Sequence, residues 1–527
     1  MNRSMSVVGA FLFTLSAHAN WIESPNRILI KSSNAENVIS MLKNKSQTEL
    51  KVERWGQPLS SGEVFAVESA SPFLLTSLSS EFKNDQSIEW IAPVRSFEGD
   101  PRESLVNDPQ FAKQYHHEMI NSDQAWSYRE GESEVVVAVT DDGFDLTHED
   151  LKSSLSINAL EIPNNNIDDD QNGFVDDVQG WDFAEGDNNP MSDSKNGAHG
   201  THVAGIIAGT WNNGIGITGM GPMVKVLPIK FYGSGRWTNE IVLKSYQYAA
   251  LRGAKIVNTS YNIDGLAEDQ IYLEAVDTVY RNGGLVFNSA GNGGAHQSAR
   301  TKVEKIILVS SVQSGSKRSN WDVKSSFSNY GYGVDIAAPG NPILSLGRGN
   351  KYMEMSGTSM ASPVAAASMA YLWSVYPEKS RREVLAMLTM SSDNINGANS
   401  RYADKLGAGR INLAKAVTEK YGTLKIQGIE YDAKTKVLSL RLWGVMREGL
   451  RGQGALIVTD QKGLQSSLTP INSYELGTNE LRYSVALPAG QYELRAISSG
   501  WKDAFGRDLD GNRDGQVGDD WMDTLKI

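Results

Sequence analysis

Three short segments of the chain each hold one side chain that nucleophilic acyl transfer requires. Asp141 follows the apolar run "EVVVAVT", His199 lies in "NGAHGTHVAG", and Ser359 lies in "GTSMASP". In this chemistry a serine attacks a carbonyl, an imidazole takes its proton, and a carboxylate fixes the imidazole tautomer. Each residue alone also has an ordinary structural interpretation, as a strand end, a packed polar residue and a helix N-cap respectively. Their combination, in the order Asp, His, Ser, favours a nucleophilic site.

The elements that must position these residues lie between about residues 107 and 421, where apolar strands alternate with helical segments ending at "NLAKAVTEKY". The predicted strands are the runs "EVVVAVT", "KVLPIKF", "KIVNTSY", "GLVFNSA" and "KIILVSS". Almost continuous apolar runs are typical of strands that are buried on both faces. The pattern predicts an α/β fold, a parallel sheet with helices on both faces. Ligands bind such sheets at the carboxyl ends of the strands, and "EVVVAVT" brings Asp141 to that edge.

Two further domains flank this region. In residues 20–106, the strand-like "RILI", "EVFAVES" and "SIEWIAP" and the helical "NAENVISMLKNK" and "SPFLLTSLSSEF" predict a β-α-β-β-α-β, ferredoxin-like sandwich of two layers. In residues 422–527, apolar residues alternate with polar ones, as Leu438, Leu440 and Leu442 do in "KVLSLRLWG". Half-buried antiparallel strands give this period, so the segment predicts a small β-sandwich.

The first nineteen residues have the features of an export signal. Arg3 precedes an apolar run, and Ala17-His18-Ala19 forms a small-x-small cleavage site. The alternative is a buried first helix. We therefore expect a signal peptide over residues 1–19 and a secreted protein, either extracellular or periplasmic. No later segment is apolar enough to predict a membrane span.

The amino-acid composition limits the classes of partner that the protein can bind. The net charge of −12 argues against nucleic acid, which requires a basic face. The chain has no cysteine, so an exported protein of this sequence would need packing or bound metal instead of disulfides.

The motifs around the three residues resemble those of the subtilisin-like serine proteases, the subtilases. "AVTDDGFD", "HGTHVAG" and "GTSMASP" are similar to the aspartate, histidine and serine motifs of that family, and the likeness spans residues 107–421. The resemblance implies an endopeptidase with the triad Asp141, His199 and Ser359 and an acyl-enzyme intermediate. It makes the Asn292 amide in "SAGNGG" an oxyanion donor beside the Ser359 N–H, although an asparagine between glycines is also an ordinary turn former. His202 is, by the same resemblance, a structural neighbour.

The substrate-binding edges are also implied by the resemblance. They match "NTSYN" and "SAGN", which supply Ser260, Tyr261, Asn262, Ala290 and Gly291. The chain departs from the family pattern at Asn262, where glycine is usual, so its substrate preference stays open. Protein or peptide substrates are the implied partners. Residues 20–106 would be a propeptide that inhibits its own enzyme.

Acidic loops predict structural calcium. In "DDDQNGFVDD", Asp168, Asp170 and Asn172 alternate before a glycine, as in the opening of a calcium loop, and Asp176 and Asp177 would close the shell. The alternative is a solvated acidic loop. "DLDGNRDGQVGDD" repeats the pattern with Asp510, Asn512 and Asp514, closed by Asp519 or Asp520. A third site, with Asp150 and Asn213, is implied by the resemblance alone.

One rival function belongs to another class. A catalytically inactive surface-binding or adhesion protein on a subtilase scaffold would keep the fold and use the β-sandwich for attachment. The intact triad with Asn292 argues against it. A processing protease dedicated to one partner would have the same chemistry, and this alternative stays open.

Overall fold

The computed structural model describes residues 21–45, 50–54, 63–69, 85–97, 106–193, 197–233, 237–261, 263, 266, 268–296, 305–315, 321–446, 454–471 and 480–527. Within the chain, two units separate, Met1–Glu103 and Ser104–Ile527. The predicted signal peptide, the predicted helix "SPFLLTSLSSEF" and Asn262 lie outside the described residues.

The first unit contains a four-stranded antiparallel sheet in the order β2-β3-β1-β4. Its elements are β1 (Trp21–Ser32), α1 (Ala35–Lys45), β2 (Leu50–Arg54), β3 (Glu63–Ser69) and β4 (Ile88–Phe97). Val38 and Leu42 of α1 lie one helical turn apart and are fully buried in one core with Ile30 and Phe65 of the sheet. The described order of strands and helix agrees with the predicted β-α-β-β start. Its role as a propeptide stays a prediction.

The second unit is built on a mostly parallel sheet in the order β11-β10-β9-β8-β5-β7-β6, with β12 also paired to β10. The strands are β5 (Val135–Asp141), β6 (Trp181–Asp182), β7 (Val224–Lys230), β8 (Ile256–Thr259), β9 (Leu285–Ser289), β10 (Ile306–Gln313), β11 (Val323–Lys324) and β12 (Ile336–Asn341). β11 pairs antiparallel with β10, whereas the other pairs are parallel. The five predicted strands are therefore confirmed, and they form the centre of the sheet.

Helices cover both faces of this sheet. They are α2 (Tyr115–Ile120), α3 (Ser122–Tyr128), α4 (Ala198–Ala208), α5 (Asn239–Leu251), α6 (Gln270–Arg281), α7 (Thr358–Val375), α8 (Arg381–Met390) and α9 (Leu413–Val417). Because strand side chains alternate, Val137 and Val139 join the core beneath α4 and α7, while Ala138 joins the core beneath α5 and α6. The α/β architecture predicted from the apolar runs is confirmed.

Close packing of α4 depends on glycine. A Cβ at Gly205 would lie 2.4 Å from Ser345 Oγ and 2.5 Å from Leu346 Cγ. These residues belong to β13 (Ile343–Gly347), which pairs with β14 (Lys351–Met355). The small residues after His199 thus allow the helix that carries it to lie against this hairpin.

The C-terminal part forms two antiparallel sheets, β15-β16-β19 and β18-β17-β20-β21. The strands are β15 (Lys425–Asp432), β16 (Val437–Trp443), β17 (Leu456–Thr459), β18 (Gln465–Leu468), β19 (Glu480–Ser484), β20 (Gln491–Ala496) and β21 (Trp521–Lys526). Leu438, Leu440 and Leu442 are buried as predicted and share one core with Leu456 and Leu494 of the other sheet. The last helix of the parallel-sheet region is shorter than "NLAKAVTEKY" suggested, because α9 ends at Val417 and Glu419 adopts a left-handed conformation (φ 56°).

This C-terminal part packs against the parallel-sheet region. The Arg382 guanidinium donates to the Met446 carbonyl (3.0 Å), and the Trp443 indole donates to the Ala408 carbonyl (3.3 Å). Val445 belongs to the core of the parallel sheet itself. Among the described residues, no helix combines the length and the apolar character needed to cross a membrane.

Candidate active site

The candidate site lies where three neighbouring strands end. β9, β8 and β5 are adjacent in the sheet and parallel. Asp141 is the last residue of β5, Ser260 directly follows β8, and Asn292 is the third residue after β9. Because parallel strands end at the same edge, these residues meet at the carboxyl edge where α/β sheets bind ligands.

Asp141 and His199 form a direct pair. The Nδ1 atom of His199 lies 2.7 Å from Oδ1 and 3.0 Å from Oδ2 of Asp141, so the ring donates through Nδ1 and leaves Nε2 as an acceptor. The carboxylate is buried, whereas the imidazole is about one-third exposed (34%). Asp142 accepts a hydrogen bond from Gly200 N (2.8 Å) in the first turn of α4, which holds the helix that carries His199.

The charge of this pair shifts the protonation of the imidazole. Burial by itself lowers the pKa of His199, but the negative charge and hydrogen bond of Asp141, with the charge of Asp142, raise that pKa to about 9. Burial and the neighbouring Asp141 charge raise the pKa of Asp142. The imidazole is therefore a stronger base than a free histidine, as proton abstraction from a hydroxyl requires.

Ser359 is the one residue of α7 that is not buried. It does not cap the helix, since the N-cap position is Gly357 and no side-chain cap bond is formed. Pro363 has no N–H to donate to the Ser359 carbonyl four residues earlier, and the Ser260 hydroxyl donates to that carbonyl instead (3.3 Å). The Ser359 Oγ in turn contacts the Ser260 carbonyl at 3.5 Å.

Asn292 is held against the start of the same helix. Its Oδ1 accepts from Thr358 N (2.9 Å) and from Thr358 Oγ1 (2.8 Å), so its Nδ2 remains available as a donor. The Thr358 hydroxyl also accepts from Gly291 N (3.2 Å). These contacts place the amide of Asn292 beside Ser359, where first-turn N–H groups have no helical partner.

The proposed substrate edges are partly described. Tyr261 turns its hydroxyl to that of Tyr246 (2.9 Å), and its ring packs against Trp237 with centroids 4.9 Å apart. Ala290 is buried, and Gly291 has φ +98°, a conformation that favours glycine. The Tyr261 side chain is thus held by contacts with aromatic neighbours.

His202 lies apart from this chemistry. Its Nε2 donates to the carbonyls of Ile343 (3.0 Å) and Met353 (3.1 Å), which ties α4 to the hairpin of β13 and β14. These contacts are those of a structural neighbour.

In the first acidic loop, a carboxylate that the sequence motif did not predict, Glu161, lies beside two of the predicted ligands. Oxygens of Glu161, Asp168 and Asp170 all lie within 4.8 Å of one another. Asn172 donates to both aspartates of this cluster through its backbone N, 3.0 Å from Asp168 Oδ1 and 3.1 Å from Asp170 Oδ1. Glu161 stands outside the loop motif, so spacing within "DDDQNGFVDD" carried no signal for it.

The two residues expected to close that shell are bound elsewhere. Asp176 accepts the backbone N–H groups of Asn165 (3.1 Å) and Asn166 (2.9 Å). Asp177 is fully buried and pairs with Arg252 (2.8 Å) and with the Tyr248 hydroxyl (2.6 Å). Both residues therefore brace the loop, and their contacts favour a supporting position over a place in the Glu161 cluster.

Asp150 and Asn213, the pair implied by the resemblance, lie side by side, with Asn213 Nδ2 2.9 Å from Asp150 Oδ1. A second buried carboxylate, Asp108, binds the loop through Asn213 N (2.9 Å). Burial, and secondarily the charge of Asp108, raise the pKa of Asp150 to about 7. A cation between these carboxylates would relieve that cost. Asp108 is distant in sequence, which is why the loop motif did not point to it.

The C-terminal loop holds a cluster of Asp510, Asp514 and Asp519, again with oxygens within 4.8 Å. Asp510 is fully buried; its Oδ2 accepts from Thr423 Oγ1 (2.6 Å) and Gly515 N (3.0 Å). Its Oδ1 has no hydrogen-bond partner among the described residues. Asn512 bonds to Asp514 instead (3.2 Å). An orphaned buried carboxylate oxygen beside two further carboxylates fits an oxygen-ligated cation.

Comparison with known proteins adds the family. The profile of the subtilase family matches residues 132–409. Thermitase from Thermoactinomyces vulgaris is 34% identical over 316 residues, which cover 59% of this chain and 98% of that protein. A thermophilic serine proteinase from Bacillus sp. (strain AK1) is 34% identical over 307 residues, covering 58% and 67% respectively. A solved protease structure from Pseudoalteromonas arctica is 24% identical, covers 60% of this chain and 99% of its own, and has a TM-score of 0.47.

Proposed function

Because the chain belongs to the subtilase family, we propose that it is a secreted serine endopeptidase with the triad Asp141, His199 and Ser359. One observation carries this proposal above the others. In a helix that is otherwise buried, Ser359 alone is accessible, and it lies at the sheet edge that also holds the Asp141–His199 pair.

The proposed reaction begins when Ser359 Oγ attacks the scissile carbonyl while Nε2 of His199 takes the hydroxyl proton. The His199–Asp141 bond keeps Nδ1 protonated, so Nε2 is the free base, and the carboxylate stabilises the imidazolium that forms. The imidazolium then protonates the leaving amine, which leaves an acyl group on Ser359. Water, deprotonated by the same imidazole, hydrolyses this ester and restores the hydroxyl.

Two donors would stabilise the oxyanion of each tetrahedral intermediate. These are the Asn292 amide nitrogen, which its bonds to Thr358 leave free, and the Ser359 N–H in the first turn of α7. The positive end of the helix dipole adds to the attraction. One such donor contributes about 3 kcal/mol to transition-state stabilisation.

Substrate strands would pair with the backbone of Ser260, Tyr261 and Asn262 on one side and of Ala290 and Gly291 on the other. The aromatic contacts of Tyr261 support a rigid backbone at the edge that contains Ser260 and Tyr261. The rest of the proposed architecture follows the sequence analysis: a signal peptide, an inhibitory propeptide at 20–106, a catalytic domain at 107–421 and a C-terminal β domain.

Calcium is the proposed structural cofactor. Glu161, Asp168 and Asp170 would hold it in the first loop, Asp108, Asp150 and Asn213 in the second, and Asp510, Asp514 and Asp519 in the third. A bound Ca²⁺ would neutralise these carboxylates and tie their loops together; it takes no part in the proposed hydrolysis.

The direct test replaces the nucleophile. Ser359→Ala should lower the rate of peptide cleavage about 10⁴- to 10⁶-fold and should leave the precursor unprocessed, since self-cleavage uses the same hydroxyl. Ser368→Ala, a buried serine of the same helix, is the matched control and should retain activity and maturation. A Ser359→Ala protein that still matures alone and cleaves casein would show that the assignment is wrong.

A further inference from the structure

We propose that Asn329 is a positioning residue that holds Asn292 in place for the chemical step, without touching the substrate. The proposal rests on the proposed role of Asn292 as an oxyanion donor. Asn329 lies in "SFSNYG", far from Asn292 in sequence, and no part of the mechanism above uses it.

The side chain of Asn329 bonds to both ends of the segment that contains Asn292. It is 8% exposed, and its Nδ2 donates to the Ala290 carbonyl (2.9 Å). Its Oδ1 accepts from Gly293 N (3.0 Å) and from Ala295 N (2.9 Å). The amide thus spans the loop, with donor and acceptor on opposite sides of Asn292.

The backbone adds to this arrangement. Asn329 N donates to the Gly291 carbonyl (2.9 Å), and Gly294 N donates to the Phe327 carbonyl (2.7 Å). A Cβ at Gly291 would lie 2.6 Å from Asn329 Nδ2, so this glycine is needed for the close approach. Every residue from Ala290 to Ala295 except Asn292 is therefore bound directly to Asn329 or to its turn.

The turn that presents Asn329 is itself fixed. The Lys324 ammonium is buried and donates to the carbonyls of Ser325 (2.9 Å) and Ser328 (2.8 Å). It also lies 4.9 Å from the centroid of the Tyr402 ring. Asn329 can thus act as a rigid support, because the turn that precedes it is anchored by Lys324, independently of the Asn292 loop.

Asn292 consequently has two supports of different kinds. Thr358 bonds to its side-chain oxygen and orients the amide, whereas Asn329 fixes the backbone on either side of it. Removal of the Asn329 amide would remove its hydrogen bonds to three backbone groups of the loop, and the loop would shift to compensate for their loss. An oxyanion donor must lie within a few tenths of an ångström of its place, and a displacement of about 1 Å costs up to about 10²-fold in rate.

A double-mutant cycle tests the proposal. The kinetic constants kcat and KM of the mature enzyme are measured with a peptide p-nitroanilide for the parent, Asn292→Ala, Asn329→Ala and the double variant. Where a precursor does not mature, the first-order rate of its self-cleavage replaces kcat. We expect Asn329→Ala to lower kcat about 10- to 100-fold with little change in KM, and to add no further loss when Asn292 is already alanine.

Two further variants separate positioning from stability. Asn329→Asp keeps the acceptor for Gly293 N and Ala295 N but loses the donor, so its kcat should fall between those of the parent and Asn329→Ala. Asn412→Ala removes another buried amide, bonded to Lys415 N (3.1 Å) and Asp393 (2.9 Å). It should lower the melting temperature and leave kcat unchanged.

The outcomes are distinct. An unchanged kcat in Asn329→Ala, or an equal loss in the Asn292→Ala background, overturns the positioning role. An unchanged kcat in Asn292→Ala overturns the proposed oxyanion role as well, and with it the premise of the inference.

Discussion

Ser359 shows how one side chain becomes reactive through its surroundings. The rest of α7 is buried, and the Ser260 hydroxyl donates to the Ser359 carbonyl in place of the N–H that Pro363 lacks. The turn that bears the serine is therefore set by contacts rather than by a cap. The neighbouring Asp141–His199 pair supplies a base whose proton affinity is raised by two carboxylates. Reactivity here would result from geometry and charge together.

The pH dependence of activity follows from that charge. Only neutral His199 accepts a proton, and its pKa is raised to about 9, so kcat/KM should rise with pH along a limb centred above 6.5. Asp142→Asn removes one negative charge near the ring while keeping an acceptor for Gly200 N. It should therefore lower the apparent pKa of that limb and raise the relative activity at acidic pH. Initial rates across pH 5–10 provide the measurement.

The control for this prediction is Asp187→Asn, an exposed carboxylate whose change should leave the profile in place. A profile centred below 6.5, or an Asp142→Asn profile that coincides with that of the parent, would contradict the electrostatic account.

The loop from Asn158 to Asp177 illustrates how one element depends on many carboxylates. Asp176 and Asp177 are bound to backbone and to Arg252, while Glu161, Asp168 and Asp170 face one another. Three carboxylates whose oxygens lie within 4.8 Å of one another repel one another, and a cation between them would relieve that repulsion. The loop connects the strand of Asp141 to the helix of His199, so its order bears on the site.

Calcium removal should therefore destabilise the enzyme. An ion bound only to the folded state adds about 2.7 kcal/mol when its concentration is a hundredfold above Kd. Chelation should lower the melting temperature and speed autolysis, and Ca²⁺, but not Mg²⁺, should restore both. Asp170→Asn should reproduce much of this loss and show little further response to chelator, as thermal melts with and without EDTA would record.

A neighbouring carboxylate offers the matched control. Asp169 lies in the same loop but bonds to Ile162 N (3.0 Å) and Asn165 (2.8 Å), outside the Glu161 cluster. Asp169→Asn should keep the full response to chelator. Asp514→Asn, in the C-terminal loop, should spare peptide cleavage. Identical melting curves with and without EDTA would refute calcium binding.

Across the whole chain, the sequence pattern predicted the features that depend on neighbouring residues, namely the strands and their buried faces. The apolar runs predicted β5, β7, β8, β9 and β10. The ends of these strands predicted the edge on which Asp141 and Asn292 lie, because parallel strands run in the same direction. The alternation in "KVLSLRLWG" predicted the buried face of β16.

Features that depend on distant pairs escaped prediction. Glu161 and Asp108 reach their clusters from outside the loop motifs, and Asn329 meets the Asn292 loop only after folding. The packing of Val445 and Trp443 against the parallel-sheet region gave no periodic signal either. Such contacts are set by tertiary packing, which spacing along the chain does not encode.

Three of the buried histidines link the stability of the fold to pH. Burial lowers the pKa of His117 and of His202 to about 4, and lowers that of His116 well below its usual value. Neither ring nitrogen of His116 has a partner among the described residues. Below pH 6.5 these histidines bind protons in the unfolded chain but not in the folded chain. The free energy of unfolding should therefore fall as the pH drops from 6.5 towards 4.

Replacing His116 should reduce this acid sensitivity. Each histidine that protonates only on unfolding changes the free energy of unfolding by about 1.4 kcal/mol per pH unit, so His116→Leu removes one such contribution. Melting temperatures of the full chain, carrying Ser359→Ala to prevent autolysis and held in saturating Ca²⁺, should fall less between pH 6.5 and 4 in His116→Leu than in the parent. The exposed His296→Leu should follow the parent. If His116→Leu loses melting temperature as steeply as the parent does, protonation of the buried ring is not what unfolds the protein in acid.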